Sequence, residues 1–209
     1  IFCKDRNRHG GGVALYVKDD VSCRFENNIT CDDIEALWVK LSPKHSETLL
    51  ICVIYRPPNS SSSYFDLLNG MLSQAVTNTD VEMILLGDLN CDMCPNNISL
   101  SRSLEEMMSG FLFDQLIDVP TRVTTTSQTI IDLIYSTDVE NHSLNGVLKT
   151  SFSDHYMIFT VYGDADITQK ENIIEWRDFK GFEFAEFNFL LSQVHFEELY
   201  QCKDVNCAW

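Results

Sequence analysis

The sequence predicts an α/β fold, on three observations. Apolar runs of strand length recur along the chain, at Val13–Val17, Ile34–Leu41, Leu49–Tyr55, Met83–Leu86, Ile130–Tyr135 and Tyr156–Tyr162. Two longer stretches, Tyr64–Val76 and Ser101–Ile117, repeat their apolar residues at helical spacing instead. A hydrophobic content of 44% over 209 residues suffices for one core of ordinary size.

Taken in order, the chain opens on charge and then glycine. His9-Gly10-Gly11-Gly12 is a flexible turn with no helix after it, so it is not a phosphate-binding loop of the P-loop kind. Val13–Val17 reads as a strand ended by Lys18-Asp19-Asp20. In Ile34–Leu41, Ile34, Ala36, Trp38 and Lys40 alternate with Glu35, Leu37, Val39 and Leu41, which is strand periodicity. Leu49–Tyr55 is nearly all apolar and reads as the most buried strand. Short connections predict antiparallel neighbours here. Pro57-Pro58 cannot continue a ladder, so Tyr55 and Arg56 fall at a strand end. The helix of Tyr64–Val76 carries Phe65, Leu68, Met71, Leu72 and Ala75 on one face.

Met83–Leu86 is a buried strand, and Gly87 after it lets the backbone bend or approach a ligand closely. Asp88 and Asn90 follow, one residue apart, so period-2 geometry points both the same way at the strand's C-terminal end. A carboxylate beside a carboxamide suits the handling of a water and a phosphate oxygen together. Taken alone, the pair reads more readily as a loop-capping turn than as an active site, and it is the motifs further along that change this.

Ser101–Ile117 is a second helix, striped by Leu104, Met107, Met108, Phe111 and Leu112. Pro120–Thr129 is threonine-rich and reads as a hairpin. Ile130–Tyr135 is a strand with Asp132 in its middle, an expensive place for a charge unless it is paired or its face is wet. Asn145-Gly146 signals a turn. Ser153-Asp154-His155 leads straight into the last strand; a single histidine is more often structural, but this one follows an aspartate in a chain already holding Asp88, Asn90 and Asp132. From Gly163 the sequence turns acidic and aromatic-rich, and an amphipathic helix fits Phe182–Tyr200. The expected organisation is one domain over residues 1–163 and a linker over 164–209.

The net charge of −16 argues against a general nucleic-acid binder, although carboxylates serve a metal site that inverts the local field. Eight scattered cysteines contain one CxxC, Cys91 to Cys94, with no matching second pair for zinc. Reduced thiols in an intracellular protein are the expectation. No apolar run reaches the roughly 20 residues of a membrane span, and no signal peptide is visible at Ile1–Arg6.

Four motifs occur in a telling order: Tyr55-Arg56-Pro57-Pro58, Gly87-Asp88-Leu89-Asn90, Ile131-Asp132-Leu133-Ile134 and Ser153-Asp154-His155. Together they resemble the endonuclease/exonuclease/phosphatase superfamily, and within it the apurinic-like endonuclease domain of non-LTR (LINE-type) retrotransposon polyproteins. Gly10 to Val17 and Val119-Pro120-Thr121-Arg122 fit that group. The resemblance runs from about Lys4 to Tyr162, and the tail to Trp209 is similar to the connector preceding a reverse transcriptase.

The resemblance implies a four-layered α/β sandwich, with two facing mixed sheets and outer helices. It implies hydrolysis of a DNA phosphodiester with Mg²⁺ (or Mn²⁺), acting in the nucleus. By the family pattern Asp88 would handle the proton of the attacking water or of the leaving oxygen, and Asn90 a phosphate oxygen or that water. Asp132 would orient His155, which would meet the scissile phosphate. Asp154 would serve the metal, and Tyr55, Thr121 and Ser153 would contact substrate. The family also carries an Asn and a metal-binding Glu on two strands ahead of the glycine turn. Both are absent from residues 1–209, so the sequence is expected to be truncated at its N-terminus and impaired in activity. Two other readings stand beside the nuclease: a phosphatase of the same fold on a small phosphoester, and a non-catalytic binding module.

Overall fold

The apolar runs assemble around a mixed six-stranded sheet in a computed structural model that describes residues 1–6, 11–44, 47–78, 80–94, 98–163 and 183–193. The chain begins with β1 (Phe2–Asp5), β2 (Gly12–Leu15), β3 (Ser22–Phe25), β4 (Glu35–Ser42) and β5 (Leu49–Tyr55). Helix α1 (Ser63–Asn78) crosses to β6 (Glu82–Asp88), and α2 (Ile98–Gly110) follows. Then come β7 (Asp114–Gln115), β8 (Arg122–Val123), β9 (Gln128–Thr129), β10 (Asp132–Ser136), β11 (His142–Leu148) and β12 (Met157–Tyr162). By internal contacts the chain divides into two units, Ile1–Asp166 and Ile167–Trp209; in the second the described element is helix α3 (Phe184–Ser192).

The large sheet has the order β3-β4-β5-β6-β10-β7. Only β5 and β6 run parallel within it, which is why a helix, α1, must lie between them in sequence. Ala36, Trp38, Leu50, Cys52, Ile54, Leu85, Leu133 and Tyr135 share one core cluster with Leu68, Met71, Leu72 and Ala75 of α1 and Leu104 and Met108 of α2. The β1–β2 hairpin packs against β4 and β5, and the β11–β12 hairpin approaches β10 through β12. Leu15, Val147, Ile158 and Tyr162 of these hairpins pack onto the same core. The architecture is the expected α/β one, with strand layers and helices around a central mixed sheet.

Several local expectations are corrected. Helix α2 stops at Gly110 instead of running to Ile117. Leu112 takes a left-handed backbone (φ 62°), and the amides of Leu112 and Phe113 bond back to Ser109 and Met108. That is a Schellman ending, and it turns Leu112 out to solvent instead of continuing the apolar stripe. Asp132 opens β10 rather than sitting in its middle. Asn145-Gly146 lies inside β11, where Gly146 leaves room for the Phe159 ring across the pair; a Cβ there would stand 3.4 Å from it. Strands β1 and β3 were not expected, because Phe2–Asp5 and Ser22–Phe25 are half polar and too short to show a period. Of the helix expected over Phe182–Tyr200, α3 covers Phe184–Ser192, and residues 194–200 lie outside the described ones.

Candidate active site

Strand register builds the site. Glu35 of β4 pairs with Tyr55 of β5, Tyr55 with Asp88 of β6, and Asp88 with Asp132 of β10. Residues paired across a ladder share a face, so four polar side chains stand in one row across four strands, about 4.8 Å apart at each step. The row lies at the end of β6, where the apolar run gives way to polar residues.

Asp132 is the best supported of the four. The Thr121 hydroxyl donates to its Oδ2 at 2.7 Å. That hydroxyl in turn accepts from the backbone amides of Ile131 (3.2 Å) and Asp132 (3.0 Å). On the other side His155 Nδ1 lies 3.1 and 3.0 Å from the two oxygens of Asp132. An ionised carboxylate only accepts, so Nδ1 carries the hydrogen and Nε2 is the free end of the ring. Thr121 was expected to touch substrate; it is fully buried, and its hydroxyl is spent on Asp132.

The Asp88–Asn90 turn is held from below. Asp88 Oδ1 accepts the Asn90 amide at 2.9 Å, and Asn90 takes a left-handed backbone (φ 46°), a conformation asparagine tolerates. The Asn90 carboxamide donates to the Arg56 carbonyl at 2.8 Å. Its direction is therefore set by this turn, not by strand alternation, because β6 ends at Asp88. Arg56 itself is buried. Its guanidinium donates to the carbonyls of Leu89, Asn90 and Ser60 and lies over the rings of Tyr64 and Phe65. Gly87 permits the close passage of β5: a Cβ there would stand 1.8 Å from the Ile54 carbonyl oxygen, at a φ of 148°.

Ser153 and Asp154 lie in the turn ahead of β12, immediately before His155. Ser153 Oγ accepts the His155 amide at 3.0 Å and so shapes the turn before β12. Asp154 accepts from Arg122 Nε at 2.8 Å and stands apart from the group formed by Asp88, Asp132 and His155. Tyr55 keeps its place in the row, with the Arg6 guanidinium 5.5 Å over its ring. Glu35 was not singled out by motif. It binds Arg6 Nε at 2.6 Å and the Gly12 amide at 2.8 Å, fastening the β1–β2 hairpin to the row. Arg56 and Arg122 also acquire parts that their motifs did not assign; the signal for both was adjacency to Tyr55 and Thr121.

Electrostatically Asp88 is biased towards its protonated form. Burial raises the Asp88 carboxyl above its ordinary range, the Asp132 charge adds to this, and the Asn90 amide opposes it. At the rim the Arg122 guanidinium holds the Asp154 carboxyl below its ordinary range. Among the described residues, Asp88, Asp132 and His155 can each offer a ligand atom, all within 4.8 Å of one another. Two carboxylates of this kind fit a hard divalent cation, which completes its shell with water and substrate oxygens.

A mixed α/β scaffold whose strand ends carry paired carboxylates and an aspartate-backed histidine belongs to the endonuclease/exonuclease/phosphatase superfamily. Residues 49–159, more than half of the chain, match the family described as endonuclease-reverse transcriptase, and the chain belongs to that family. No curated protein matches it. Among solved structures, the endonuclease domain of TRAS1, a telomere-specific non-LTR retrotransposon, aligns with a TM-score of 0.58 at 15% identity, covering 68% of each chain. A mannosyl-6-phosphatase of Bacteroides thetaiotaomicron aligns with a TM-score of 0.49 at 14% identity, over 69% of this chain and 66% of that one. A family protein from Leptotrichia buccalis aligns at 0.46 and 13%, over 62% and 53%. At 15% identity the likeness to the TRAS1 domain is one of fold.

Proposed function

We propose that the chain is a metal-dependent hydrolase that nicks DNA, in a parent polyprotein with a downstream reverse transcriptase that acts in the nucleus. Residues 1–163 form the catalytic unit and 164–209 the connector. The observation that carries the reading is the relay Thr121–Asp132–His155, set in register beside Asp88.

In this reading Asp132 fixes the imidazole so that Nε2 meets an oxygen of the scissile phosphate. Asp88, whose proton affinity is raised by burial, exchanges a proton with the attacking water or the leaving oxygen. Asn90 keeps the Asp88 carboxylate in place through its backbone amide. Tyr55 borders the same row and offers its hydroxyl to the phosphate. A divalent cation, Mg²⁺ or Mn²⁺, held by the carboxylates would stabilise charge on the phosphate and lower the pKa of bound water.

Plasmid nicking tests the proposal. The chain is assayed with Mg²⁺ and with EDTA. Nicking that needs Mg²⁺ and disappears in Asp88→Ala supports the nuclease. A folded protein that never nicks but releases phosphate from small phosphoesters replaces it with a phosphatase.

A further inference from the structure

Arg122 has no part in the relay, yet the fold sets it directly beside the relay's histidine. Arg122 and His155 form an isolated antiparallel bridge. The flanking bonds, Val123 amide to Asp154 carbonyl (2.9 Å) and Tyr156 amide to Thr121 carbonyl (2.7 Å), make Arg122 and His155 the non-hydrogen-bonded pair. Side chains come closest at such a pair, and both leave the same face. Arg122 also follows Thr121, whose hydroxyl anchors Asp132, so its backbone is fixed at both neighbours.

The Arg122 guanidinium is half exposed and pairs with Asp154, also half exposed. An exposed pair of this kind holds weakly and exchanges readily for a better anion. A phosphodiester beside His155 is such an anion, since guanidinium binds phosphate through two parallel hydrogen bonds. The chain as a whole, at −16, repels a polyanion, so whatever attracts one must act at short range.

We infer that Arg122 is a substrate-phosphate ligand of this site, and that Asp154 is the internal anion occupying it until a nucleic-acid phosphate takes its place. The inference rests on the nuclease reading and names the group that receives the strand. No bond is made or broken in the exchange; one ion pair replaces another.

The test measures binding of a labelled duplex oligonucleotide by fluorescence anisotropy, in EDTA and across a salt series. Arg122→Gln should weaken binding about tenfold and flatten the slope of log K against log salt by about 0.9, the value of one phosphate contact. Asp154→Asn should tighten binding several-fold, because it releases Arg122. The double variant should behave as Arg122→Gln does. Glu106→Gln controls for charge alone, because Glu106 is an exposed partner of Arg102 on α2, outside the site; it should change nothing. A structural ion pair predicts instead that both single substitutions weaken binding or that neither alters it, and either result overturns the inference. Tightening by Glu106→Gln equal to that by Asp154→Asn also overturns it. If the unsubstituted chain binds no oligonucleotide at any salt, the nuclease reading itself fails. If it binds and Arg122→Gln binds alike, only the subsite fails.

Discussion

Asp88 and Asp132 face each other in register across β6 and β10, and with His155 they bring three ligand-capable atoms within 4.8 Å of one another. Two carboxylates so placed resist being ionised together. Burial raises Asp88 first and the Asp132 charge second.

The sign of the resulting pH dependence follows. The folded state binds the Asp88 proton more tightly than the unfolded chain does. Its stabilising contribution is therefore complete below the ordinary value of 3.8 and is lost as pH rises through the raised folded value. Asp88→Asn should remove that loss. Its melting temperature at neutral pH should exceed wild type by a few degrees, with the difference shrinking towards pH 3, while hydrolysis is abolished. A neutral-pH melting temperature at or below wild type would contradict the account.

Thr121 is expected to matter through Asp132. Thr121→Val removes the acceptor of the Ile131 and Asp132 amides and one of the two partners of Asp132 Oδ2, which keeps His155, at a cost of about 1–3 kcal/mol. His155→Ala should lower turnover by about 10²–10⁴-fold with little change in stability. Urea unfolding and nicking rates, measured on both variants, separate the two effects. Equal destabilisation by both would remove the distinction.

Gly87→Ala should be the most damaging small substitution in the site. Its Cβ would meet the Ile54 carbonyl oxygen at 1.8 Å, in a backbone conformation that L residues avoid. Strain of this kind costs about 1–3 kcal/mol or more. The expected readout is a lower urea midpoint with an unchanged slope.

His142 gives the opposite pH dependence. Its ring nitrogens lie 2.6 Å from the Thr160 hydroxyl and 2.8 Å from that of Ser136, and burial lowers its proton affinity, partly offset by Asp138. Stability from this group is present above the unfolded value of 6.5 and is lost as pH falls through the lower folded value. Melting temperature should decline between about pH 7 and pH 5, and His142→Gln should decline less over that range.

What was legible in the sequence was whatever local periodicity records. Leu49–Tyr55 and the helical face of Leu68, Met71, Leu72 and Ala75 appear where their apolar spacing put them. Asp88, Asp132 and His155 were visible as motifs because polar residues interrupt apolar runs. The pairing of Glu35 with Tyr55 was not, since register between strands is set by packing across the sheet. The Schellman ending of α2 was hidden as well: Leu112 is apolar and extends the stripe, and only a left-handed φ reveals that it lies outside the helix. The pairing of Asp154 with Arg122 was not visible either, because the two lie 32 residues apart.

Arg56 carries a last consequence. From one buried guanidinium, bonds reach the carbonyls of Leu89 and Asn90 and that of Ser60 just ahead of α1. The turn bearing Asp88 is thus bolted to the helix entrance, and the Leu89 amide is bonded across to Ile131 as well. Such a turn cannot breathe by itself. Its amides belong to the slowest-exchanging cooperative unit, so deuterium should enter at Leu89 only when the whole sheet opens.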